Sequence, residues 1–477
     1  MRQVEEPAEA GHAEVDDTVR AAAAAAPALA RLPRAELLLA MAAELEADRT
    51  AIIAAADAET ALGPLRLTSE HARTCGQLRF LADVLLDGAY LGVTIDHADQ
   101  ATVPPRPDLR RMRVPLGPVA VFAASNFPLA FSVPGGDTAS AIAAGCPVVV
   151  KAHPGHPRTS DLCAAALRRA GAPVWVLHGF QAGLDLVRHP LIEAVGFTGS
   201  VAGGRALYDV AAARPRPIPF FGELGSINPL VVTPSAAAER GAEIAVGLAA
   251  SITGGVGQFC TKPGLVLLPA GAALLDLLRD ALAAGSGGPM LTEPIQGGYL
   301  RGMAVRSATA GVATLVPPAA AADLGATPGL LAVPAAELTE VLLEECFGPG
   351  AVCVTYASED ELSAVLARLP GSLTATVHTG RSSDPVAATV LPRLAGIAGR
   401  VIVNGYPTGV AVAWAMQHGG PYPSSTAAAS TSVGAAAVER WLRPVTYQNT
   451  PEDLLPPELR EDNPLGLPRR VDGTPTG

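Results

Sequence analysis

From residue 114 onward, short apolar runs alternate with longer stretches whose apolar positions recur three or four apart. Val119-Ala120-Val121-Phe122, Val148-Val149-Val150, Val174-Trp175-Val176-Leu177 and Ala194-Val195-Gly196-Phe197 read as strands. Residues near 134–145, 158–170 and 182–188, and those from about 201, read as helices between them. Strands this apolar, separated by helices, predict a parallel sheet covered on both faces. A nucleotide-like ligand is then expected at the carboxyl ends of its strands. A second alternation follows, with strands near 228–232, 264–268, 351–355, 374–378 and 400–403, and the boundary is expected at Ser226-Ile227-Asn228-Pro229. Upstream, Leu29, Leu32, Leu37, Leu38 and Leu45 stand at helical spacing among alanines. They predict two helices over 13–57 broken around Pro33, with a third over 68–87. The tail after Tyr447 is dense in proline and charge. It is expected to lie extended on the surface, free to pack on a neighbouring subunit.

Composition narrows the class. A chain of 477 residues suggests two or three domains, and 49% hydrophobic against 17% charged residues excludes wholesale disorder. The net charge of −11 argues against nucleic acid or an anionic membrane as the main partner. No apolar run reaches the roughly 18 residues of a membrane span. The segment Met1-Arg2-Gln3-Val4-Glu5-Glu6 is acidic and unlike a secretory signal. Cys75, Cys146, Cys163, Cys260, Cys346 and Cys353 are too scattered for a disulfide framework, and no pair has zinc-ligand spacing. No metal is expected, and a reducing cytosol fits best. The chain has 32 arginines but only two lysines, Lys151 and Lys262. A lysine retained against that bias is a candidate for a place where a compact ammonium is needed, with chance survival as the competing reading.

The candidate chemistry begins with Cys260, in Gly257-Gln258-Phe259-Cys260-Thr261-Lys262-Pro263-Gly264, and with Glu223 in Glu223-Leu224-Gly225, 37 positions upstream. A thiol can form a covalent intermediate on a carbonyl carbon, and a carboxylate can activate the water that releases it. A buried structural cysteine is the competing reading. Asn126, in Ser125-Asn126-Phe127-Pro128 past an apolar strand, can donate to a developing oxyanion or simply form a turn. Lys151 ends the next strand, a place for a ribose or phosphate contact or for a solvated strand end. No G-x-G-x-x-G is present. Gly196-Phe197-Thr198-Gly199-Ser200-Val201-Ala202-Gly203-Gly204 instead offers backbone N–H groups at a helix start, or is an ordinary glycine-rich turn. Glu345, in Glu344-Glu345-Cys346-Phe347-Gly348-Pro349, can hold a ribose or be surface charge, with Cys346 beside it expected to be a small buried apolar residue.

These segments, in this order and at these spacings, resemble the aldehyde dehydrogenase superfamily over about residues 12–465. The run around Cys260, His418-Gly419-Gly420-Pro421-Tyr422-Pro423 and Arg443-Pro444-Val445-Thr446-Tyr447-Gln448 resemble a narrower branch. That branch includes α-ketoglutaric semialdehyde (2,5-dioxopentanoate) dehydrogenases and some NADP-dependent fatty aldehyde dehydrogenases. The resemblance implies an α/β fold with a Rossmann-type cofactor domain (1–89 and 113–225), an α/β catalytic domain (226–435) and a small β oligomerisation element (90–112 and 436–450). Residues 451–477 would be the tail, and the assembly a homodimer or homotetramer. It further implies that Cys260 is the nucleophile, that Asn126 and the Cys260 N–H form the oxyanion hole, and that Glu223 activates water. Glu345 and Phe347 would hold the nicotinamide end, Lys151 the adenosine ribose, and Gly199 and Ser200 the pyrophosphate.

Pro154 stands where many NAD-preferring relatives carry a glutamate that repels a 2′-phosphate. NADP or NAD is therefore expected, with His153 or Arg188 available to help with a phosphate. Phe127 would line the aldehyde tunnel. So would Arg73, which can pair with the carboxylate of an acidic semialdehyde or else form an ion pair with Glu70. Competing functions are a long-chain fatty aldehyde dehydrogenase, a non-catalytic relative, and a cofactor-free cysteine hydrolase. The last would need a histidine near Cys260, yet none falls between His189 and His378, so a distant one would have to fold close.

Overall fold

The structure, a computed structural model, describes residues 7–25 and 30–476. The acidic hexapeptide at the start and Leu29 lie outside the described residues. The helical region holds four helices: α1 (His12–Ala25), α2 (Arg31–Ala47), α3 (Arg49–Thr60) and α4 (Pro64–Asp87). The break expected around Pro33 falls just before it: α1 ends at Ala25 and α2 begins at Arg31. Pro33 sits in the first turn of α2, where its missing N–H would have had no helical partner. A second break, not expected from the sequence, comes at Asp48, which ends α2 and precedes α3.

The first sheet contains β3 (Val119–Phe122), β4 (Val148–Lys151), β5 (Val174–Leu177), β6 (Ala194–Thr198) and β7 (Phe220–Glu223), all parallel, in the order β5-β4-β3-β6-β7. Helices α5 (Gly136–Ala144), α6 (Pro157–Arg169), α7 (Phe180–Arg188) and α8 (Val201–Ala212) connect them. Burial on both faces explains the unbroken apolar strands. Val119, Val121, Val148 and Val150 pack with α2 and α4, whereas Ala120, Val149 and Val195 pack with α1 and α7.

The second sheet contains β8 (Pro229–Val232), β9 (Leu265–Pro269), β10 (Ala313–Val316), β11 (Gly329–Pro334), β12 (Gly350–Tyr356), β13 (Ser372–His378) and β14 (Ala398–Val403), in the order β10-β11-β12-β9-β8-β13-β14. Only β10 pairs antiparallel. Strands β10 and β11 were not anticipated from the sequence: β10 is a largely exposed edge strand without an apolar run.

A third sheet joins β1 (Thr94–Asp96), β2 (Leu109–Pro115), β15 (Leu442–Gln448), β16 (Arg469–Val471) and β17 (Thr474–Thr476) in the order β15-β2-β1-β16-β17. The tail thus departs from the expectation of an extended surface segment. It returns to its own chain, pairing β16 with β1 and burying Leu455, Leu459 and Leu467 in the core of the first domain. Three leucines under a proline-rich stretch supply the burial that holds it down. Among the described residues, no helix is long and apolar enough to cross a membrane.

Candidate active site

The strand order of the first sheet sends the chain one way after β3 and the other way after β6, opening a crevice at their carboxyl ends. From β3 the chain leaves through Ala124-Ser125-Asn126, and from β6 through Gly199-Ser200 into α8. Ser200 caps that helix, its Oγ accepting the Gly203 N–H at 3.2 Å. Glu223 is the last residue of β7, and its carbonyl accepts the Gly199 N–H.

Facing this edge is the amino edge of the second sheet. The loop before β9 carries Cys260, and the loop before β12 carries Glu345 and Phe347. A cavity of about 390 Å³ joins the two edges, lined by Asn126, Gly199, Glu223, Cys260, Glu345 and Phe347 among others. Cys346 also lines it and is half-buried, so it is more than the small core residue expected from sequence.

Three devices fix the cysteine loop. Asn228, in the left-handed region at φ 51°, donates from Nδ2 to the carbonyls of Cys260 (2.7 Å) and Lys262 (3.0 Å). Its Oδ1 accepts from Ser226 and Thr374, which ties the loop to β13. Gly257 has φ +64°, and a Cβ there would stand 2.2 Å from the Gly348 carbonyl oxygen, so only glycine lets the two loops touch. Lys262 is buried and bridges the same loops, its Nζ donating to Cys346 O (3.1 Å) and Gly350 O (2.6 Å). This rare lysine thus places a compact ammonium between two carbonyls of the two loops.

Around the thiol lies a histidine that local sequence reading did not assign to the site. His418 Nε2 is 3.6 Å from Cys260 Sγ and 3.0 Å from Glu223 Oε1, and the three atoms lie within 4.8 Å of one another. The contact to Oε1 has ion-pair distance but not the in-line geometry of a hydrogen bond. Ser432 Oγ donates to the other carboxylate oxygen.

Burial, with the charges of Glu223 and Glu345 added, pushes the Cys260 thiol well above its usual range. Burial also raises Glu223, but His418 and the Ser432 hydroxyl outweigh it and leave this carboxyl below its ordinary value. An ionised carboxylate and an imidazole thus stand beside a protonated thiol, an arrangement able to remove its proton. Asn126 is buried, and Nδ2 donates one N–H to Gln258 O at 2.9 Å. The second N–H of the same amide is available for a substrate oxygen.

The cavity suits a dinucleotide. The α8 N-terminus presents backbone N–H groups at one end. At the other end stands Glu345, whose Oε2 lies 2.5 Å from where a Cβ on Gly225 would project, so glycine keeps the passage open there. Burial raises the Glu345 carboxyl against the opposing charge of Lys262.

Not every expected residue gathers here. Lys151 ends β4 and Pro154 lies exposed in the following turn, and neither lines the cavity. Arg188 does not serve as a phosphate contact. It ends α7, a helix that starts at the carboxyl edge and runs back to the opposite edge of the sheet. The His153 imidazole accepts the N–H of Gly155 and stacks on His156, and burial keeps it neutral.

Phe127 and Arg73 stand on the other flank of Cys260. Rings of Phe259, Phe127 and Phe131 follow at centroid spacings of 5.5 and 5.4 Å, and the Arg73 guanidinium lies 5.3 Å from the Phe131 centroid. The ion pair of Arg73 with Glu70 does not form. Glu70 Oε1 accepts the N–H groups of Leu129 and Ala130, and both terminal nitrogens of Arg73 are buried without a partner in the protein.

The model of the aldehyde dehydrogenase family matches residues 2–446. The chain is 50% identical to alpha-ketoglutaric semialdehyde dehydrogenase 2 of Azospirillum brasilense over 456 residues, covering 92% of this chain and 87% of that one. It is 41% identical to alpha-ketoglutaric semialdehyde dehydrogenase of Acinetobacter baylyi over 465 residues, covering 93% and 87%. Among solved structures it resembles a mutant of aldehyde dehydrogenase C of Pseudomonas syringae complexed with NAD+ and octanal. That match has a TM-score of 0.79 and 22% identity over 92% of this chain and 90% of that one.

Proposed function

The chain belongs to the aldehyde dehydrogenase family, and from that premise we propose that it oxidises an acidic semialdehyde, α-ketoglutaric semialdehyde, to the dicarboxylate with NAD or NADP. The single observation that carries the chemistry is the contact of Cys260 Sγ with His418 Nε2, itself 3.0 Å from Glu223. The substrate class rests on the two relatives at 50% and 41% identity.

The thiol proton passes to the His418–Glu223 pair as Sγ bonds to the aldehyde carbon. The Asn126 amide and the Cys260 N–H stabilise the oxyanion, each such donor lowering the barrier by about 2.7–4 kcal/mol. The bound nicotinamide supplies a hydride acceptor. Gly199, Ser200 and the start of α8 would hold its pyrophosphate, Glu345 and Phe347 its nicotinamide end, and Lys151 its adenosine ribose. Sulfur then carries the acyl group as a thioester. Glu223 takes a proton from water, and hydroxide adds to the thioester carbon. The departing thiolate takes back the first proton, held on His418 beside it, as the acid is released and ionises.

With no carboxylate at position 154 to repel a 2′-phosphate, kcat/KM for NAD and NADP should lie within about a hundredfold of each other. A larger preference, measured by steady-state kinetics with each, rejects dual use. Arg73→Ala should raise KM for an acidic aldehyde far more than for a neutral one, since a buried hydrogen bond to a charged group contributes about tenfold or more in affinity. A screen of acidic and long-chain aliphatic aldehydes with both cofactors tests the reading as a whole. Preference for the aliphatic set would favour the fatty aldehyde alternative.

We also place the protein in the cytoplasm, and assign the third sheet, whose edge strand β15 is half-exposed along its length, to the joining of subunits into a homodimer or homotetramer.

A further inference from the structure

Arg66, Glu70 and Arg73 occupy one face of α4, spaced i, i+4, i+7, and that face turns toward the aromatic rings beside Cys260. The Arg66 guanidinium lies 5.0 Å from the ring centroids of both Phe127 and Phe259. Its Nη2 donates to the Asn126 carbonyl at 2.6 Å, whereas its Nη1 is buried with no partner in the protein. Arg73 has both Nη1 and Nη2 in that condition. Buried guanidinium groups elsewhere are filled differently. Arg440 Nη2 donates to Asp137 at 2.6 Å, Arg214 Nη1 donates to two carbonyls, and Arg306 Nη1 and Nη2 donate to carbonyls. Glu70 is the one carboxylate on this face of the helix; its Oε1 accepts two backbone N–H groups, and its Oε2, buried, makes no hydrogen bond to either arginine. Two cations against one anion leave this wall positive and three terminal N–H sites short of acceptors.

Resting on the semialdehyde reading above, we propose that this wall is a 2-oxo acid anchor in which the two arginines divide the work. A carboxylate accepts a bidentate pair of N–H bonds, and Arg73 is the residue with both terminal nitrogens free to give one. A single keto oxygen needs one donor, which is what Arg66 Nη1 retains. The ring ladder orders them consistently with the substrate chain. Arg66 rests on Phe259, next in sequence to Cys260, and on Phe127; Arg73 rests on Phe131, at the far end of the ladder. In a 2,5-dioxo acid whose C5 aldehyde meets the thiol, the keto group likewise comes before the carboxylate. Arg66 is therefore the residue that separates a 2-oxo semialdehyde from a plain acidic semialdehyde.

The test compares three aldehydes on the full-length enzyme. 2,5-Dioxopentanoate has both polar groups, 5-oxopentanoate lacks only the 2-oxo group, and pentanal lacks both. Wild type should prefer them in that order. In Arg66→Met, the kcat/KM ratio of 2,5-dioxopentanoate to 5-oxopentanoate should fall about tenfold or more; loss of the Nη2 bond to the Asn126 carbonyl acts on all three aldehydes alike and cancels in that ratio. Arg73→Met should lower both acids in parallel and leave that ratio in place. Arg66→Lys keeps the charge and one donor on a shorter reach, so it should lose less of the ratio than Met, a partial rescue that guards against a poorly folded Met variant.

An unchanged ratio in both Arg66 variants overturns the division of roles. Equal losses on all three aldehydes also overturn it, because Arg66 would then act only by positioning Asn126. A wild-type enzyme that takes pentanal as readily as either acid would instead defeat the semialdehyde reading underneath, and the anchor with it.

Discussion

Cys260→Ala is expected to lower kcat for aldehyde oxidation by at least about a thousandfold, because the covalent step has no substitute nucleophile. The other cysteine lining the cavity, Cys346, is no rescue. Its Sγ faces the Tyr299 carbonyl at 3.7 Å, away from the His418–Glu223 pair. Serine at 260 should do little better, since an alkoxide is harder to generate and would leave an ester in place of a reactive thioester. Dinucleotide binding should survive in both variants, because the α8 N-terminus and Glu345 are untouched.

The electrostatics add a pH signature. Burial and two carboxylates hold the thiol well above its usual range, so it is protonated at neutral pH. For such a raised acid the reactive thiolate fraction grows with rising pH. Wild-type kcat/KM for the aldehyde should therefore climb from about pH 6 toward about pH 9 in a pH–rate profile. A profile that falls over that interval would contradict the protonated resting thiol.

Glu223→Gln carries the second large effect and separates the two halves of the reaction. Gln can accept the Ser432 hydroxyl as Glu223 does, but it cannot take a proton from water. The acyl-enzyme should form and then stall. Stopped-flow absorbance should show a burst approaching one reduced dinucleotide per active site, followed by a steady rate slower by about 10²–10⁴, the usual range for a general base. Loss of the burst as well as the steady rate would mean that Glu223 is needed to activate the thiol too. Its carboxylate lies 3.0 Å from the imidazole that contacts sulfur, so the size of the residual burst measures how the pair shares that first proton.

The parts of this molecule legible in its sequence are those written in local pattern. Strands β3 to β6 are unbroken apolar runs because both faces are buried, and the loops bearing Asn126, Gly199, Cys260 and Glu345 declare themselves by glycine, proline and reactive side chains. What stayed hidden depends on pairings across long separations. His418 lies 158 residues after Cys260 and sits in a glycine- and proline-rich loop with no periodicity, so nothing near it in sequence points to sulfur. The motif His418-Gly419-Gly420-Pro421-Tyr422-Pro423 was the one available signal.

Arg66 falls just before the helix predicted over 68–87 and is marked by no local pattern. Only the rings of Phe127 and Phe259 reveal that its guanidinium faces inward. The tail strand Arg469–Val471 is polar and owes its place to pairing with Thr94 and Ile95, some 375 residues earlier, on one side and with Thr474–Thr476 on the other. Asn228 illustrates the same limit: a residue at the expected domain boundary turns out to hold the nucleophile loop by two hydrogen bonds.

The chemistry turns on an acyl group carried by Cys260. Intact-mass and peptide mass spectrometry of Glu223→Gln, quenched in acid after mixing with 2,5-dioxopentanoate and dinucleotide, tests this directly. The expected product is a hydroxylamine-labile acyl adduct on the peptide containing Cys260 and on no other cysteine, formed only when the dinucleotide is present. An enzyme that turns over with Cys260 unmodified, or with the adduct on Cys346, would contradict it.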